Sequence, residues 1–307
     1  MNMADALRLE GLRGELKAHE PMAGHVSWRA GGPAARFYAP ADLDDLAAFL
    51  RQLPAAEPLL FVGLGSNLLV RDGGFAGTAV LTHAASRHPD LIVGRLYADA
   101  GVASPKVARF AARNALVGAE FLAGVPGTVG GALAMNAGCY GGETWEIVER
   151  AVTIDRRGQV RTRSKDEFDL GYRHCELKLG GRIGEDEWFA GAWFDLAKGD
   201  GATSRARIKE LLEKRIASQP LSLPNAGSVF RNPPGDHAAR LIESCGLKGL
   251  ARGGARVSEK HANFIVNPKG AARAADIEWL IEEVRAKVLE RTSIALLPEV
   301  RIVGDPA

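Results

Sequence analysis

Twenty-two consecutive residues, Phe121 to Gly142, carry no charge and are fenced by Glu120 and Glu143: FLAGVPGTVGGALAMNAGCYGG. That length is about what a bilayer core asks of a transmembrane helix. The composition excludes it. Seven positions are glycine (124, 127, 130, 131, 138, 141, 142), Pro126 and Asn136 interrupt the rest, and no basic cluster flanks the run to set an orientation. Glycine is used where backbone approaches another group closely or adopts positive φ. The segment therefore reads in one of two ways: as backbone laid against a large, flat, partly anionic ligand, or as a tightly packed turn inside a core.

The rest of the chain sets the context for that choice. At 307 residues there is material for about two domains, and 46% hydrophobic with 25% charged residues is the balance of a soluble globular protein. The net charge is +2 and acids and bases alternate, as over Glu210–Arg215, so no nucleic-acid partner is expected. Asp5, Arg8, Glu10, Arg13, Glu15 and Lys17 leave no apolar leader in the first twenty residues, and no membrane partner is expected. Three distant cysteines (139, 175, 245) suit reduced thiols in a cytoplasmic setting. Seven histidines form no HExxH or Cys/His cluster, so no metal is expected.

Periodicity predicts a helix from Asp42, with Leu43, Leu46, Leu50 and Leu53 on one side and Pro54 closing it. Short strands are expected at Leu59–Val62 and Leu68–Val70. Ser104-Pro105 reads as an N-cap with proline at the first helical position, opening a helix through Leu116. Ala151–Thr162 reads as a hairpin turning at Arg156–Gln159. Further helices are expected at 203–218, at Asp236–Cys245 with Gly246 just beyond, and at Asp276–Arg291. A strand is expected at Glu299–Val303. Without steady βαβ alternation the fold class is α+β. The polar stretch Lys198–Thr203 marks a boundary near 198–204.

Gly63-Leu64-Gly65-Ser66-Asn67-Leu68 lacks the sixth-position glycine and following helix of a dinucleotide fingerprint. Such a loop can cradle a pyrophosphate with backbone N–H groups, or serve as an ordinary turn. Ser228, in Asn225–Pro233, has no G-x-S-x-G elbow around it; taken alone it reads as a structural loop serine. Arg173 after Tyr172, and Glu299 after Pro298, are likewise ordinary surface groups when read alone. Cys175 is either a thiol of lowered pKa beside Arg173 or an inert buried one.

In order, Ser27–Pro33, Gly63–Asn67, Ala123–Gly131 with Asn136–Gly138, Tyr172-Arg173, Gly227–Pro233, His261–Phe264 and Pro298–Arg301 resemble the UDP-N-acetylenolpyruvoylglucosamine reductase family, over about residues 20 to 303. The short length resembles its type II branch. The resemblance implies a two-subdomain FAD-binding module of the p-cresol methylhydroxylase/vanillyl-alcohol oxidase type (1–84 joined by 299–307, then 85–200), and an α+β substrate-binding domain at 201–298. It implies that FAD is held by Gly63, Leu64, Gly65, Ser66, Asn67 and Leu68, and by Gly124, Val125, Pro126, Gly127, Thr128, Gly130, Gly131, Asn136, Ala137 and Gly138. Three positions depart from the family's pattern: Cys175 replaces a common serine, Trp28 is bulky, and Arg231 stands where lysine is frequent.

The activity implied is reduction of UDP-N-acetylglucosamine enolpyruvate to UDP-N-acetylmuramate for peptidoglycan, with NADPH as co-substrate in a ping-pong sequence. Catalytic roles would fall to Arg173 and Glu299, polarising the substrate carboxylate, and to Ser228, delivering a proton. Arg231 and Asn232 would contact substrate. Arg215, Gln219 and His261 are weaker candidates for its nucleotide end, and Arg301 for a charge near the flavin. A monomer is expected. Two rivals stay open: an FAD oxidase of the same superfamily, with flavin attached through Cys139 or a histidine, and a binding module without turnover. Oxygen consumption would favour the first and failure to take up FAD the second.

Overall fold

The computed structural model describes residues 9–307. The chain forms two compact units, each assembled from separate stretches. The first takes residues up to Ala18, Arg36–Leu64 and Gly77–Lys214; the second takes His19–Ala35, Gly65–Ala76 and Arg215–Ala307. This partition differs from a break at 198–204. That polar stretch is where helix α4 (Gly201–Ser218) begins, with Asp200 accepting from the N–H groups of Ala202 and Thr203 at 3.0 Å each.

The first unit holds a five-stranded antiparallel sheet, in the order Val160–Ser164, Val148–Asp155, Glu187–Phe194, Arg95–Asp99, Asp90–Ile92. The expected hairpin is present, with Val152 opposite Thr162 and Ile154 opposite Val160. Helices α2 (Ser104–Arg113) and α3 (Val129–Ala134) bury Val107, Ala111, Val129 and Leu133 in its main core, with Trp145, Phe168 and Phe189. A four-stranded sheet pairs Leu59–Val62 in parallel with Phe75–Leu81. Helix α1 (Leu43–Gln52) buries Leu46, Phe49 and Leu50 against Tyr38 and Val80, beside Ile154 and Trp188. Asp42, where the sequence starts the helix, instead caps α1, its Oδ1 accepting from Asp45 N at 2.9 Å.

Two expectations about α2 fail. Ser104 is the first helical residue rather than the cap, and its N–H bonds to Gly127 O at 3.1 Å. Its buried hydroxyl has no partner among the described residues. The helix stops at Arg113 because Ala115 turns left-handed (φ 54°), and Leu116–Val117 becomes a strand paired with Ala197–Lys198.

In the second unit α5 (Ala238–Ser244) and α6 (Ala274–Thr292) bury Leu241, Ile242, Ile277, Leu280, Ile281, Val284 and Val288 against a three-stranded antiparallel sheet, Ala251–Arg252, Ala255–Val257 and Ile265–Val266. Trp28 is fully buried there and donates from Nε1 to Ile265 O at 2.8 Å. The final strand, Arg301–Val303, pairs in parallel with Leu68–Val70. Asp72 accepts from Ala274 N (3.0 Å) and Ala275 N (2.9 Å), placing a carboxylate at the positive end of α6. Beside it Arg71 grips Glu278 through two nitrogens.

Candidate active site

Within the first unit, the uncharged run is folded back on its own structure rather than extended. Val129 N bonds to Val102 O and Gly130 N to Ala100 O, both at 2.9 Å, laying the start of α3 along residues 100–102. A Cβ on Gly130 would lie 2.9 Å from Ala100 Cβ, and one on Gly124 2.8 Å from Cys139 Sγ. On Gly138 it would strike Gly142 O, and on Gly142 it would reach 2.7 Å from the Phe121 ring. Most of these glycines therefore answer to protein packing, the second reading of the run. Gly131 and Gly141 differ: both are exposed, and nothing lies within 4 Å of where a Cβ on either would stand. A planar group can approach backbone there.

Gly63 packs against the same run, since a Cβ on it would run into the Thr128 side chain. Gly63 and the segment at 124–138 thus meet within the first unit. Val125, Gly127 and Thr128 are buried, while Leu64 and Pro126 are exposed. Ala137 N closes onto Ala132 O at 2.8 Å.

Asn136 is 4% exposed and left-handed (φ 40°). Its Nδ2 donates to Glu143 Oε2 (2.8 Å) and Gly171 O (3.1 Å), and its Oδ1 accepts from Trp145 N (3.1 Å). The side chain thus braces the segment from inside and ties it to the hairpin of Phe168–Gly171 and His174–Leu177. The two-residue turn of that hairpin is Tyr172-Arg173. Arg173 sits at φ 55°, its guanidinium 5.0 Å from the centre of the Tyr172 ring and donating from Nη2 to Gly138 O at 3.1 Å. A non-glycine residue in this region costs about 1–3 kcal/mol and marks a place where surrounding structure dictates backbone. Asn136, Tyr140 (φ 56°) and Arg173 all adopt it. The structure therefore brings Arg173 to the glycine run. Tyr172, which the sequence offered only as a neighbour, is what its cation rests on.

Cys175 is buried beside Trp145. Burial pushes its thiol up to about 12, so the inert alternative holds. Cys139 is half-buried and donates to Phe121 O at 3.1 Å.

The second unit gathers the other candidates. Gly65 is left-handed (φ 59°) and packs on His25 O and Val26 Cα, while its carbonyl accepts from Ser27 N at 3.1 Å. Ser66 and Asn67 follow, half-buried. Asn67 Nδ2 donates to Glu299 O at 3.1 Å and Asn67 O accepts from Arg301 N at 3.1 Å. Leu68 is buried opposite Arg301, whose exposed side chain starts the last strand. Glu299 N donates to Val229 O at 2.8 Å, bringing Glu299 alongside the residue after Ser228. Ser228, half-buried, follows the left-handed Gly227 (φ 74°), whose N–H is accepted by Asn225 Oδ1 at 2.9 Å. Asn232 accepts from Ala238 N at 3.1 Å and so caps α5; Asp236, the expected start, instead pairs with Arg240.

Arg231 is half-buried, and its Nε is a buried donor without a partner among the described residues. Arg215 Nε bonds to Gln219 Oε1 at 2.9 Å, so those two nucleotide candidates form one pair. His261 is edge-on to Phe264, and burial, aided by the charge of Lys248, lowers its pKa and favours the neutral ring. The described residues contain no helix long and apolar enough to cross a membrane and no His/Cys/Asp/Glu group able to hold a metal.

Two matches to protein families cover this architecture. Residues 33–164 match the FAD binding domain, and residues 219–303 match the C-terminal domain of UDP-N-acetylenolpyruvoylglucosamine reductase. The first contains Gly63–Leu68 and the whole glycine run, and the second contains Ser228, Asn232 and Glu299. A UDP-N-acetylenolpyruvoylglucosamine reductase of Thiobacillus denitrificans is 58% identical, over 96% of this chain and 94% of its own. One from Legionella pneumophila is 55% identical over 98% and 96%. The crystal structure of the enzyme of that name from Thermus caldophilus superposes with a TM-score of 0.78 at 31% identity, covering 95% of this chain and 99% of its own. The open face at Gly131 and the loop at Gly63 fit FAD as the cofactor. With its α+β fold and FAD-binding domain, the chain is an FAD-dependent oxidoreductase, and it belongs to the UDP-N-acetylenolpyruvoylglucosamine reductase family.

Proposed function

We propose that this protein reduces the enolpyruvyl double bond of UDP-N-acetylglucosamine enolpyruvate, giving UDP-N-acetylmuramate for peptidoglycan, with NADPH as the electron donor. The observation that carries this reading is Arg173, held in a left-handed turn over Tyr172 and against Gly138 O. A fixed planar cation at the edge of a flavin-type backbone surface suits a substrate carboxylate conjugated to the bond being reduced. The chemistry FAD supplies when bound is hydride transfer in two half-reactions, first from NADPH and then to the substrate.

Hydride added to the terminal carbon of the enolpyruvyl group leaves negative charge on the next carbon, shared with the carboxylate. Arg173 stabilises that charge where it develops, which is the interaction that lowers the barrier. Glu299 helps to polarise that carboxylate, and Ser228 gives the neighbouring carbon its proton. Arg231 and Asn232 contact the sugar nucleotide, Asn232 through the amide nitrogen left over from capping α5. The FAD module is of the p-cresol methylhydroxylase/vanillyl-alcohol oxidase type, with the substrate-binding domain at 201–298. The protein works as a cytoplasmic monomer.

Anaerobic stopped-flow spectroscopy of Ser228→Ala tests the proton-donor role. Bleaching of the flavin by NADPH keeps its rate, while reoxidation by the enolpyruvyl sugar nucleotide slows on the order of a hundred- to ten-thousand-fold. Wild-type rates in both half-reactions would refute the assignment.

A further inference from the structure

In the second unit, the two residues between Ser228 and Arg231 are hydrogen-bonded along both edges. On one edge lies Asn263, which is 4% exposed. Its carbonyl accepts from Val229 N at 3.0 Å, its Oδ1 accepts from Phe230 N at 2.9 Å, and its Nδ2 donates to Phe230 O at 2.8 Å. On the other edge Val229 O accepts from Glu299 N at 2.8 Å, and Arg231 N donates to Leu297 O at 2.9 Å. Val229 and Phe230 point into the core at 1% and 2% exposure. Five consecutive backbone polar groups are thereby fixed, and the Asn263 side chain acts as the peptide group of a missing neighbouring strand. The dipeptide is a short rigid bar with Ser228 at one end and Arg231 at the other.

We infer that Asn263 is the positioning residue for Ser228, setting where its hydroxyl stands during proton delivery; the inference rests on the proton-donor reading above. A primary amide is what the site demands, one acceptor facing Phe230 N and one donor facing Phe230 O. Aspartate would set an oxygen against the Phe230 carbonyl, glutamine would displace the amide by one methylene, and alanine would leave both buried groups of Phe230 unmatched. Displacing a reacting group by about 1 Å costs on the order of a hundredfold in rate. Asn263 sits in the His261–Phe264 segment, where the sequence assigned a role to His261 alone.

The test is Asn263→Asp and Asn263→Gln in the FAD-loaded enzyme, with Ser228→Ala in parallel. Anaerobic stopped-flow is expected to show flavin reduction by NADPH within about twofold of wild type, while reoxidation by the enolpyruvyl sugar nucleotide falls roughly ten- to a hundredfold. The loss appears in kcat more than in KM, and the solvent deuterium isotope effect on reoxidation rises because proton delivery becomes limiting. The double variant Asn263→Asp/Ser228→Ala is no slower than Ser228→Ala alone. Reoxidation at wild-type rates in both Asn263 variants, with Ser228→Ala slow, overturns the inference and leaves the proton-donor reading intact. A parallel fall of both half-reactions, tracking lost FAD, overturns it too, because that is a folding effect. If Ser228→Ala itself reoxidises normally, the proton-donor reading falls and the role of Asn263 with it. Should Asn263→Asp fail to fold, the Asn263→Gln pair of half-reactions decides.

Discussion

Asn67 donates its side-chain amide to the backbone carbonyl of Glu299 at 3.1 Å, across 232 positions of sequence. Its own carbonyl accepts from Arg301 N at 3.1 Å, so the loop that opens at Gly63 is fastened to both sides of Val300. The end of a proposed cofactor loop and a proposed catalytic carboxylate are thus parts of one hydrogen-bonded junction. Asn67→Ala removes one such bond, worth about 1 kcal/mol. The melting temperature should fall by roughly 2–4 °C, and substrate-driven reoxidation should slow more than NADPH-driven reduction. Differential scanning calorimetry and stopped-flow on one preparation check both.

Adjacent glycines in the uncharged run should behave oppositely. Gly130→Ala drives a Cβ to 2.9 Å from Ala100 Cβ and should cost about 1–3 kcal/mol of apoprotein stability through overpacking. Gly131→Ala meets nothing within 4 Å and lies in α3, where alanine is favoured over glycine by about 1 kcal/mol. The Gly131→Ala apoprotein should melt no lower than wild type, yet bind FAD at least about tenfold more weakly, ~1.4 kcal/mol. Apoprotein melting curves and FAD titrations separate the two.

Acid should destabilise the first unit through two buried carboxylates. For Asp45, burial pushes the pKa up, but hydrogen bonds from Arg13 N, Tyr38 OH and Ala41 N outweigh it and hold the group below its usual range. Glu187 behaves likewise, burial being outweighed by Arg163, which donates from Nε at 2.5 Å and Nη2 at 2.8 Å. A folded pKa below the unfolded one adds stability that is complete above the unfolded value and is lost as pH falls through the folded one. Melting temperature should therefore hold steady near neutrality and drop below about pH 4, and Asp45→Asn should flatten that drop.

The three thiols should differ in reactivity. Cys139 is half-buried, whereas Cys175 and Cys245 are buried, and the Cys175 thiol is held protonated by a pKa near 12. Iodoacetamide at pH 8 should label Cys139 alone in the native protein and all three cysteines in urea, as read by peptide mass spectrometry.

What the sequence disclosed and what it hid follow from how far each interaction reaches along the chain. Local chemistry was legible: α1 begins next to Asp42, Gly158 (φ 68°) turns the hairpin, and the apolar stripe Ile277, Leu280, Ile281, Val284 and Val288 became the buried face of α6. Distant partners were not. The carboxylate at the start of α6 is Asp72, more than two hundred residues earlier, and α5 is capped by Asn232 instead of the adjacent Asp236. At the candidate site the residue types were legible through the ordered motifs, but their supports were not. The stacking of Arg173 on Tyr172, the inward amide of Asn136 and the grip of Asn263 on Phe230 all depend on a chain path that no periodicity encodes. The glycine run also changed meaning. Four of its seven glycines answer to Ala100, Cys139, Gly142 and Phe121, and Gly131 is the one that faces open space within α3.

The most direct test of the proposed activity is the visible spectrum of the purified holoprotein under anaerobic conditions. A flavin absorbance band should be present, be bleached by one equivalent of NADPH, and return on addition of the enolpyruvyl UDP-sugar with formation of UDP-N-acetylmuramate. A flavin that NADPH bleaches and the sugar nucleotide leaves reduced would contradict the account.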